Sequence, residues 1–156
     1  MLSLKENVQK FLKSASKIVV LGVGSDLRGD DVVGVRVVEK LLAFQSSKLI
    51  VFDGGTAPEN LTGEIKKQKP SHLIIVDAAE IKGPTGSIKL LTPAEIGGYS
   101  FSTHALPLKI MIDFIRQDVD CEVLVIAVQP KTLSFGAAVS PEVEAAAEEV
   151  VGALAE

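Results

Sequence analysis

The stretch from Ile18 to Gly34 constrains the fold more than any other, because an apolar run there meets a glycine-rich turn and then two adjacent carboxylates. The run Ile-Val-Val-Leu predicts a buried strand that ends at Gly22 and Gly24. The aliphatic residues after Asp31 predict a helix. Asp30 and Asp31 are therefore expected near the carboxyl end of a strand, where open α/β sheets place their ligand crevices.

The whole chain alternates strand-like and helix-like segments, which is typical of parallel βαβ units. The predicted strands are 17–22, 49–53, 73–76 and 123–128, and the predicted helices are 1–17, 32–44, 58–67, 104–115 and a last one from Pro141. Ser3 and Glu6 have the spacing of a capping box in the first helix. The segment 83–91 departs from the alternation and predicts an edge strand or flap. We expect a single α/β domain over residues 1–156: a three-layer sandwich with a mostly parallel, twisted sheet of about five strands and helices on both faces.

The composition limits the partners and the compartment. The net charge is −4 over 156 residues, so the chain lacks the basic excess of nucleic-acid-binding proteins, and we expect no nucleic acid partner. No signal peptide or membrane span is visible, and one cysteine excludes an intrachain disulfide. We expect a cytoplasmic monomer that does not insert into membranes.

Several common functional motifs are absent from the sequence. A dinucleotide-binding fingerprint would require a third glycine where Leu27 stands, and the chain has no Walker-type loop, no Gly-x-Ser-x-Gly elbow and no His-Glu-x-x-His helix. Cys121 precedes its predicted strand and so falls at the sheet edge opposite the crevice, which favours a structural thiol over a nucleophile.

The remaining candidates are polar groups that the strand pattern brings to one edge of the sheet. They are Asp30, Asp31, Asp53, Asp77 and His104. Two carboxylates and one imidazole suit a divalent metal ion. His104 follows Ser102 and Thr103, which are able to cap a helix, and the positive end of a helix favours the neutral imidazole that binds metal. His72 precedes its predicted strand and is excluded from the site.

Each candidate also has a purely structural interpretation. Asp30 can cap the helix that follows it, which leaves Asp31 available as a ligand. Asp77 can equally stabilise the loop at Ala78 and Ala79. His104 taken alone is more typical of a local hydrogen-bonding residue than of a metal ligand.

Five separate stretches give the chain a resemblance to a known family. They are Gly22 to Gly34, Asp53 to Pro58, Val76 to Ala79, Ser102 to His104, and Gln129-Pro130 with Phe135-Gly136 and Ser140-Pro141. Together they resemble the [NiFe]-hydrogenase maturation endopeptidases, of the type that processes the hydrogenase 3 large subunit. Two positions depart from the family pattern: Ser25 replaces an asparagine, and Val32 replaces a glycine.

The resemblance implies an endopeptidase that removes the C-terminal extension of the [NiFe]-hydrogenase large-subunit precursor after nickel insertion. It implies that the metal contacts and the catalytic groups are Asp31, Asp77 and His104. The nickel is carried by the substrate and contacted transiently, and other divalent cations are expected to substitute for it in the isolated protein. The family is grouped with aspartic-type endopeptidases, although this chain has no pepsin-like Asp-Thr/Ser-Gly pair. The attacking group, a carboxylate or a metal-polarised water, stays open.

Two other functions remain at this stage. The first is a non-catalytic metal-binding or chaperone module of hydrogenase assembly. The second is a nucleotide-binding α/β domain, which rests on fold analogy alone.

Overall fold

The computed structural model describes residues 1–102 and 107–155. Its strands are β1 (Ile18–Val23), β2 (Leu49–Gly55), β3 (His72–Glu80), β4 (Ile88–Leu91), β5 (Ser100–Phe101) and β6 (Glu122–Val128). Its α-helices are α1 (Leu4–Phe11), α2 (Val33–Leu41), α3 (Thr62–Gln68), α4 (Leu108–Arg116) and α5 (Pro141–Leu154). The predicted α/β class is confirmed.

The sheet has six strands, where the sequence predicts about five, and the additional one is the two-residue β5. The strand order is β2-β1-β3-β6-β4, and β5 pairs with the end of β3. The strands β2, β1, β3 and β6 are parallel, whereas β4 runs antiparallel to β6 at one edge. The prediction of an edge strand within residues 83–91 is therefore confirmed.

Helices cover both faces of the sheet because successive strand residues point to opposite sides. In β3, Ile74 and Val76 face one core with α1, α2 and α5, while Leu73 and Ile75 face the other core with α3 and α4. Both faces of β1, β3 and β6 are buried, which explains their nearly continuous aliphatic sequences. The predicted three layers are present.

Most local signals in the sequence are confirmed. Ser3 and Glu6 form the predicted capping box, although α1 spans only Leu4–Phe11. Pro141 occupies the first turn of α5, as its fixed φ angle favours. The predicted helix over 58–67 consists of a short 3-10 helix (Pro58–Leu61) followed by α3.

Two boundaries differ from the predictions. β3 continues past Val76 to Glu80, so Asp77 lies inside the strand and not after it. α4 begins at Leu108 with Pro107 as its N-cap, so Ser102 does not cap this helix. The prediction that a helix dipole keeps His104 neutral depended on a helix that begins at His104, and α4 begins at Leu108.

The sheet edge opposite the carboxyl ends holds the residues that the sequence excluded from the site. His72 begins β3 and bonds Ser71 through Nδ1 at 2.9 Å, with the Phe11 ring against it at 5.1 Å between centroids. Cys121 precedes β6 and is buried, which raises the pKa of its thiol. Among the helices that the structure describes, none is long and apolar enough to cross a membrane.

Candidate functional site

The topology places a crevice at the carboxyl ends of β1 and β3. The chain leaves β1 for β2 on one side of the sheet, whereas it leaves β3 for β4 and β6 on the other side. Connections that leave in opposite directions from neighbouring strands open a crevice outside their carboxyl ends, where doubly wound folds bind ligands. Pairing between β1 and β3 ends at Gly22 and Val76, so Asp77 is the first β3 residue beyond it.

The loop after β1 can turn sharply because Gly24 adopts a conformation unsuited to other residues. Its φ is +144°, and a Cβ atom there would lie 1.8 Å from the carbonyl oxygen of Asp31. Farther along, a Cβ atom on Gly34 would lie 2.2 Å from the carbonyl oxygen of Val76. Because these two glycines lack a Cβ atom, the start of α2 can pack closely against the ends of β1 and β3.

Asp31 lies in the short 3-10 helix (Gly29–Val32) between this loop and α2, and that helix packs against β3. The residue is buried, with 3% of its surface exposed. Its Oδ2 accepts a hydrogen bond of 3.1 Å from the backbone N–H of Ser25. Its Oδ1 is buried and has no hydrogen-bond donor within the part of the chain that the structure describes. A buried carboxylate oxygen without a donor is costly, and such atoms are typical of functional sites.

Asp77 is fully buried in β3 on the face that packs against α3 and α4. The hydroxyl of Ser102 donates a hydrogen bond of 2.7 Å to its Oδ1. The backbone N–H of Ser102 in turn donates to the carbonyl oxygen of Ala78 at 3.1 Å. Ser102 therefore holds the carboxylate from the segment after β5, a role that sequence reasoning missed.

The prediction that Asp30 caps the following helix is wrong. Its Oδ1 accepts from the backbone N–H of Ser140 at 2.7 Å, and its Oδ2 accepts from the Ser140 hydroxyl at 2.9 Å and the backbone N–H of Lys131 at 2.8 Å. Neither the 3-10 helix nor α2 has a side-chain cap. These partners lie 101 and 110 residues away in sequence, so no local pattern could have indicated them.

Hydrogen bonds connect the loop after β6 to the loops after β1 and β3. Arg28 donates through Nε to the carbonyl oxygen of Leu133 at 3.2 Å. Gln129 is buried; its Oε1 accepts from the backbone N–H of Ile81, and its Nε2 donates to Glu80. The backbone N–H of Lys82 and the Gln129 side chain together lower the pKa of the Glu80 carboxyl. This polar side chain holds the loops after β3 and β6 together.

The other candidates have separate positions. Asp53 lies inside β2, two residues before its end, with its side chain exposed, and its Oδ1 accepts from the backbone N–H of Gly55 at 2.9 Å. His104 lies outside the described residues. Within residues 1–102 and 107–155, no three His, Cys, Asp or Glu side chains form a cluster able to hold a metal. The described part of the site therefore consists of the buried pair Asp31 and Asp77 at one edge of the sheet.

Comparison with known proteins places the whole chain in one family. The profile of the hydrogenase maturation proteases (HycI) matches residues 35–156. The hydrogenase 3 maturation protease of Escherichia coli is 36% identical over 75% of each chain. This chain belongs to the hydrogenase maturation protease family. A Methanocaldococcus jannaschii protein provisionally named as a hydrogenase maturation protease is 34% identical over 98% of this chain and 95% of its own.

The solved structures of hydrogenase maturation proteases have the same fold. The crystal structure of the [NiFe] hydrogenase maturation protease HycI from Thermococcus kodakarensis superposes with a TM-score of 0.88, at 29% identity over 96% of both chains. The solution structure of the endopeptidase HycI from Escherichia coli gives 0.78, at 33% identity over 87% of both chains. The resemblance found in the sequence motifs is thus confirmed over nearly the full length.

The two departures from the pattern of the hydrogenase maturation proteases are accommodated without distortion. The Oγ of Ser25 accepts from the backbone N–H of Leu27 at 3.1 Å, the two-residue turn that asparagine side chains also make. Val32 has φ −71° and ψ −11°, a right-handed conformation open to any residue, and its side chain is buried. Neither substitution displaces Asp31 from its bond with the backbone of Ser25.

Proposed function

We propose that this protein is an endopeptidase that removes the C-terminal extension of the [NiFe]-hydrogenase large-subunit precursor after nickel has been inserted. Membership of the hydrogenase maturation protease family supports the peptidase activity and the hydrogenase substrate. The nickel dependence, the position of the cut and the residues that act are parts of the proposal.

One observation carries the site assignment: the buried Oδ1 of Asp31, which lacks a donor among the described residues, lies at the crevice where β3 presents Asp77. A buried carboxylate oxygen without a hydrogen-bond donor is expected where a bound ligand or substrate interacts with it. Asp30, the neighbouring carboxylate, is already committed to three hydrogen bonds. Of the acidic doublet, Asp31 is therefore the residue that we assign to the substrate.

We assign the contacts with the precursor's nickel to Asp31, Asp77 and His104. Carboxylate oxygens and imidazole nitrogen are suitable donors for divalent first-row metals. The metal belongs to the substrate, and a small set of ligands from the protease leaves coordination positions for the precursor's own groups. In the isolated protein, other divalent cations would occupy the same contacts transiently.

The role of this contact is to hold the scissile bond beside the carboxylates. Hydrolysis adds water across the bond: the carbonyl carbon gains oxygen, the C–N bond breaks, and the released amine takes up a proton. We assign the accompanying proton transfers to Asp31 and Asp77, in keeping with an aspartic-type peptidase. An open groove lined by Ala79, Phe101, Ser102, Lys131 and Leu133 lies beside the end of β3 and suits the extended substrate chain.

Incubation of the purified protein with nickel-loaded precursor, followed by mass spectrometry of the large subunit, tests the proposal. We expect a shortened large subunit with the wild type and a loss of at least about 100-fold in rate for Asp31→Asn, Asp77→Asn and His104→Ala. Asp53→Asn is the matched control, because it changes an exposed carboxylate at the same sheet edge. Its rate should stay within about twofold of the wild type.

The same assay separates the alternative function. A non-catalytic chaperone would bind the precursor and leave its length unchanged. Wild-type rates for Asp31→Asn or His104→Ala would refute the site assignment, and equal rates with nickel-free precursor would refute the role of the metal.

A further inference from the structure

Two large apolar side chains are exposed on the loops around the candidate site. Leu27 is 59% exposed and lies four residues before Asp31, and Phe135 is 79% exposed in the loop after β6. A backbone hydrogen bond of 2.8 Å from Gly136 to the carbonyl oxygen of Leu27 brings the two loops together. We call Leu27 and Phe135 together the rim patch.

The backbone under Leu27 is fixed on both sides. Its N–H donates to the Oγ of Ser25, whose own backbone N–H binds Asp31, and its carbonyl oxygen accepts from Gly136. The next residue, Arg28, accepts at its carbonyl oxygen from the N–H of Asp31 at 3.1 Å. The position of Leu27 is therefore coupled directly to that of the candidate catalytic carboxylate.

Phe135 lies at the corner of a tight turn. The N–H of Ala137 donates to the carbonyl oxygen of Ser134 at 3.1 Å, and Gly136 has φ +79°. This geometry fits a type II turn with Phe135 at its first central position, where proline is common, and Gly136 at the second. A phenyl ring that is 79% exposed contributes little to the packing of the fold.

The other exposed apolar side chains have different locations. Leu42 and Phe44 follow α2 and lead into β2, which places them at the amino edge of the sheet, far from the crevice. Ile110 and Phe114 lie one turn apart on α4, where Lys66 covers the Phe114 ring at 3.5 Å from its centroid. Among the described residues, the rim patch alone joins exposed apolar surface to the loop that carries Asp31.

We propose that the rim patch is the docking surface for an apolar area on the hydrogenase large-subunit precursor. This inference rests on the proposed function, because it names where that substrate binds. A precursor whose peptide bond lies against Asp31 must cover the loop that presents Leu27 and its partner loop with Phe135. Desolvated aromatic and aliphatic anchors of this kind supply much of the affinity in protein interfaces. Leu27 and Phe135 are thus specificity residues that act on binding and not on the chemical step.

The test compares Leu27→Ser, Phe135→Ser and the double variant in the processing assay at a series of nickel-loaded precursor concentrations. We expect KM to rise at least about tenfold in the double variant, while kcat changes by less than about twofold. Phe44→Ser changes a phenyl side chain that is 48% exposed at the opposite edge and should leave both constants unchanged. Melting temperatures of the Leu27 and Phe135 variants should equal that of the wild type, since these exposed side chains pack on little.

Direct binding of the precursor to each variant, measured by biolayer interferometry, distinguishes this inference from the proposed function. An unchanged KM and an unchanged dissociation constant in the double variant would overturn the docking surface even when the wild type cleaves. A lowered melting temperature would assign the two residues a structural role and also overturn it. If the wild type binds but does not cleave, the proposed peptidase fails, while weaker binding by the double variant still supports the docking surface.

Discussion

The hydroxyl of Ser102 donates a 2.7 Å hydrogen bond to Oδ1 of Asp77, across 25 residues of sequence. Both residues are buried, and the backbone of Ser102 also bonds Ala78, the residue after Asp77. The bond therefore fixes the rotamer of a candidate catalytic carboxylate from a second segment of the chain. That segment leads directly into His104.

Ser102→Ala is expected to lower kcat for precursor processing about tenfold or more, because the Asp77 carboxylate loses the donor that orients it. The free energy of unfolding should fall by about 1–3 kcal/mol, since a buried acceptor loses a partner. Urea unfolding and steady-state kinetics measure the two effects. Ser100→Ala is the matched control, because Ser100 is exposed on β5 and should change neither quantity. An unaltered kcat in Ser102→Ala would show that this bond is only structural.

The acidic doublet should divide into one residue for stability and one for function. Asp30→Asn is expected to cost about 2–4 kcal/mol of unfolding free energy, because Asp30 accepts three hydrogen bonds from Lys131 and Ser140. Asp31→Asn should change stability by less than about 1 kcal/mol, since it removes a buried charge with one uncompensated oxygen. Urea titrations of both variants make the comparison, and equal losses of stability would contradict it.

Restoring the glycine that the family pattern has at position 32 should weaken this protein. Val32 is buried and has a right-handed backbone conformation, so the Val32→Gly variant gains no favourable geometry and loses apolar burial. We expect a loss of about 2–4 kcal/mol in unfolding free energy. Thermal unfolding of Val32→Gly is compared with that of Gly63→Ala. Gly63 lies on the exposed side of α3, and a Cβ atom there meets nothing within 4 Å, so this variant serves as the control. A more stable Val32→Gly protein would refute this account.

The Glu80 carboxyl should contribute to stability at neutral pH and lose that contribution in acid. Its pKa is lowered by the backbone N–H of Lys82 and by the Gln129 side chain. A group with a lower pKa in the folded state stabilises above its unfolded pKa, about 4.3 for glutamate, and loses the effect as the pH falls through its folded pKa. The difference in melting temperature between wild type and Glu80→Gln should thus be largest near pH 7 and shrink below about pH 4. A carboxyl NMR titration of Glu80 that gives an ordinary pKa would refute the prediction.

The strands and the sheet edge could be predicted because their signals are local. Apolar runs such as 18–23 and 122–128 are buried on both faces in a parallel sheet, so their sequences remain aliphatic at every position. The alternation of strands and helices then places the residues after β1 and β3 at one edge. That reasoning was enough to bring Asp31 and Asp77 to one crevice.

The errors concern contacts between residues distant in sequence. The sequence predicts a local helix cap for Asp30, yet its partners lie more than 100 residues away. The sequence also predicts that Ser102 can cap the next helix, yet its hydroxyl donates to Asp77 in β3. Short polar side chains can form hydrogen bonds with the nearby backbone of a helix end or with a distant segment. The sequence pattern alone does not discriminate between these two kinds of partner.

The sequence by itself determined the α/β class, the family and the acidic residues at the carboxyl edge, because hydrophobic periodicity and motif spacing are properties of neighbouring residues. Only the tertiary structure decided how the doublet is divided, since that depends on which loop packs against each carboxylate. Asp30 meets the donors of the loop after β6, whereas Oδ1 of Asp31 meets no donor among the described residues. The acidic doublet thus contains one carboxylate that is committed to structural hydrogen bonds and one that we propose contacts the substrate.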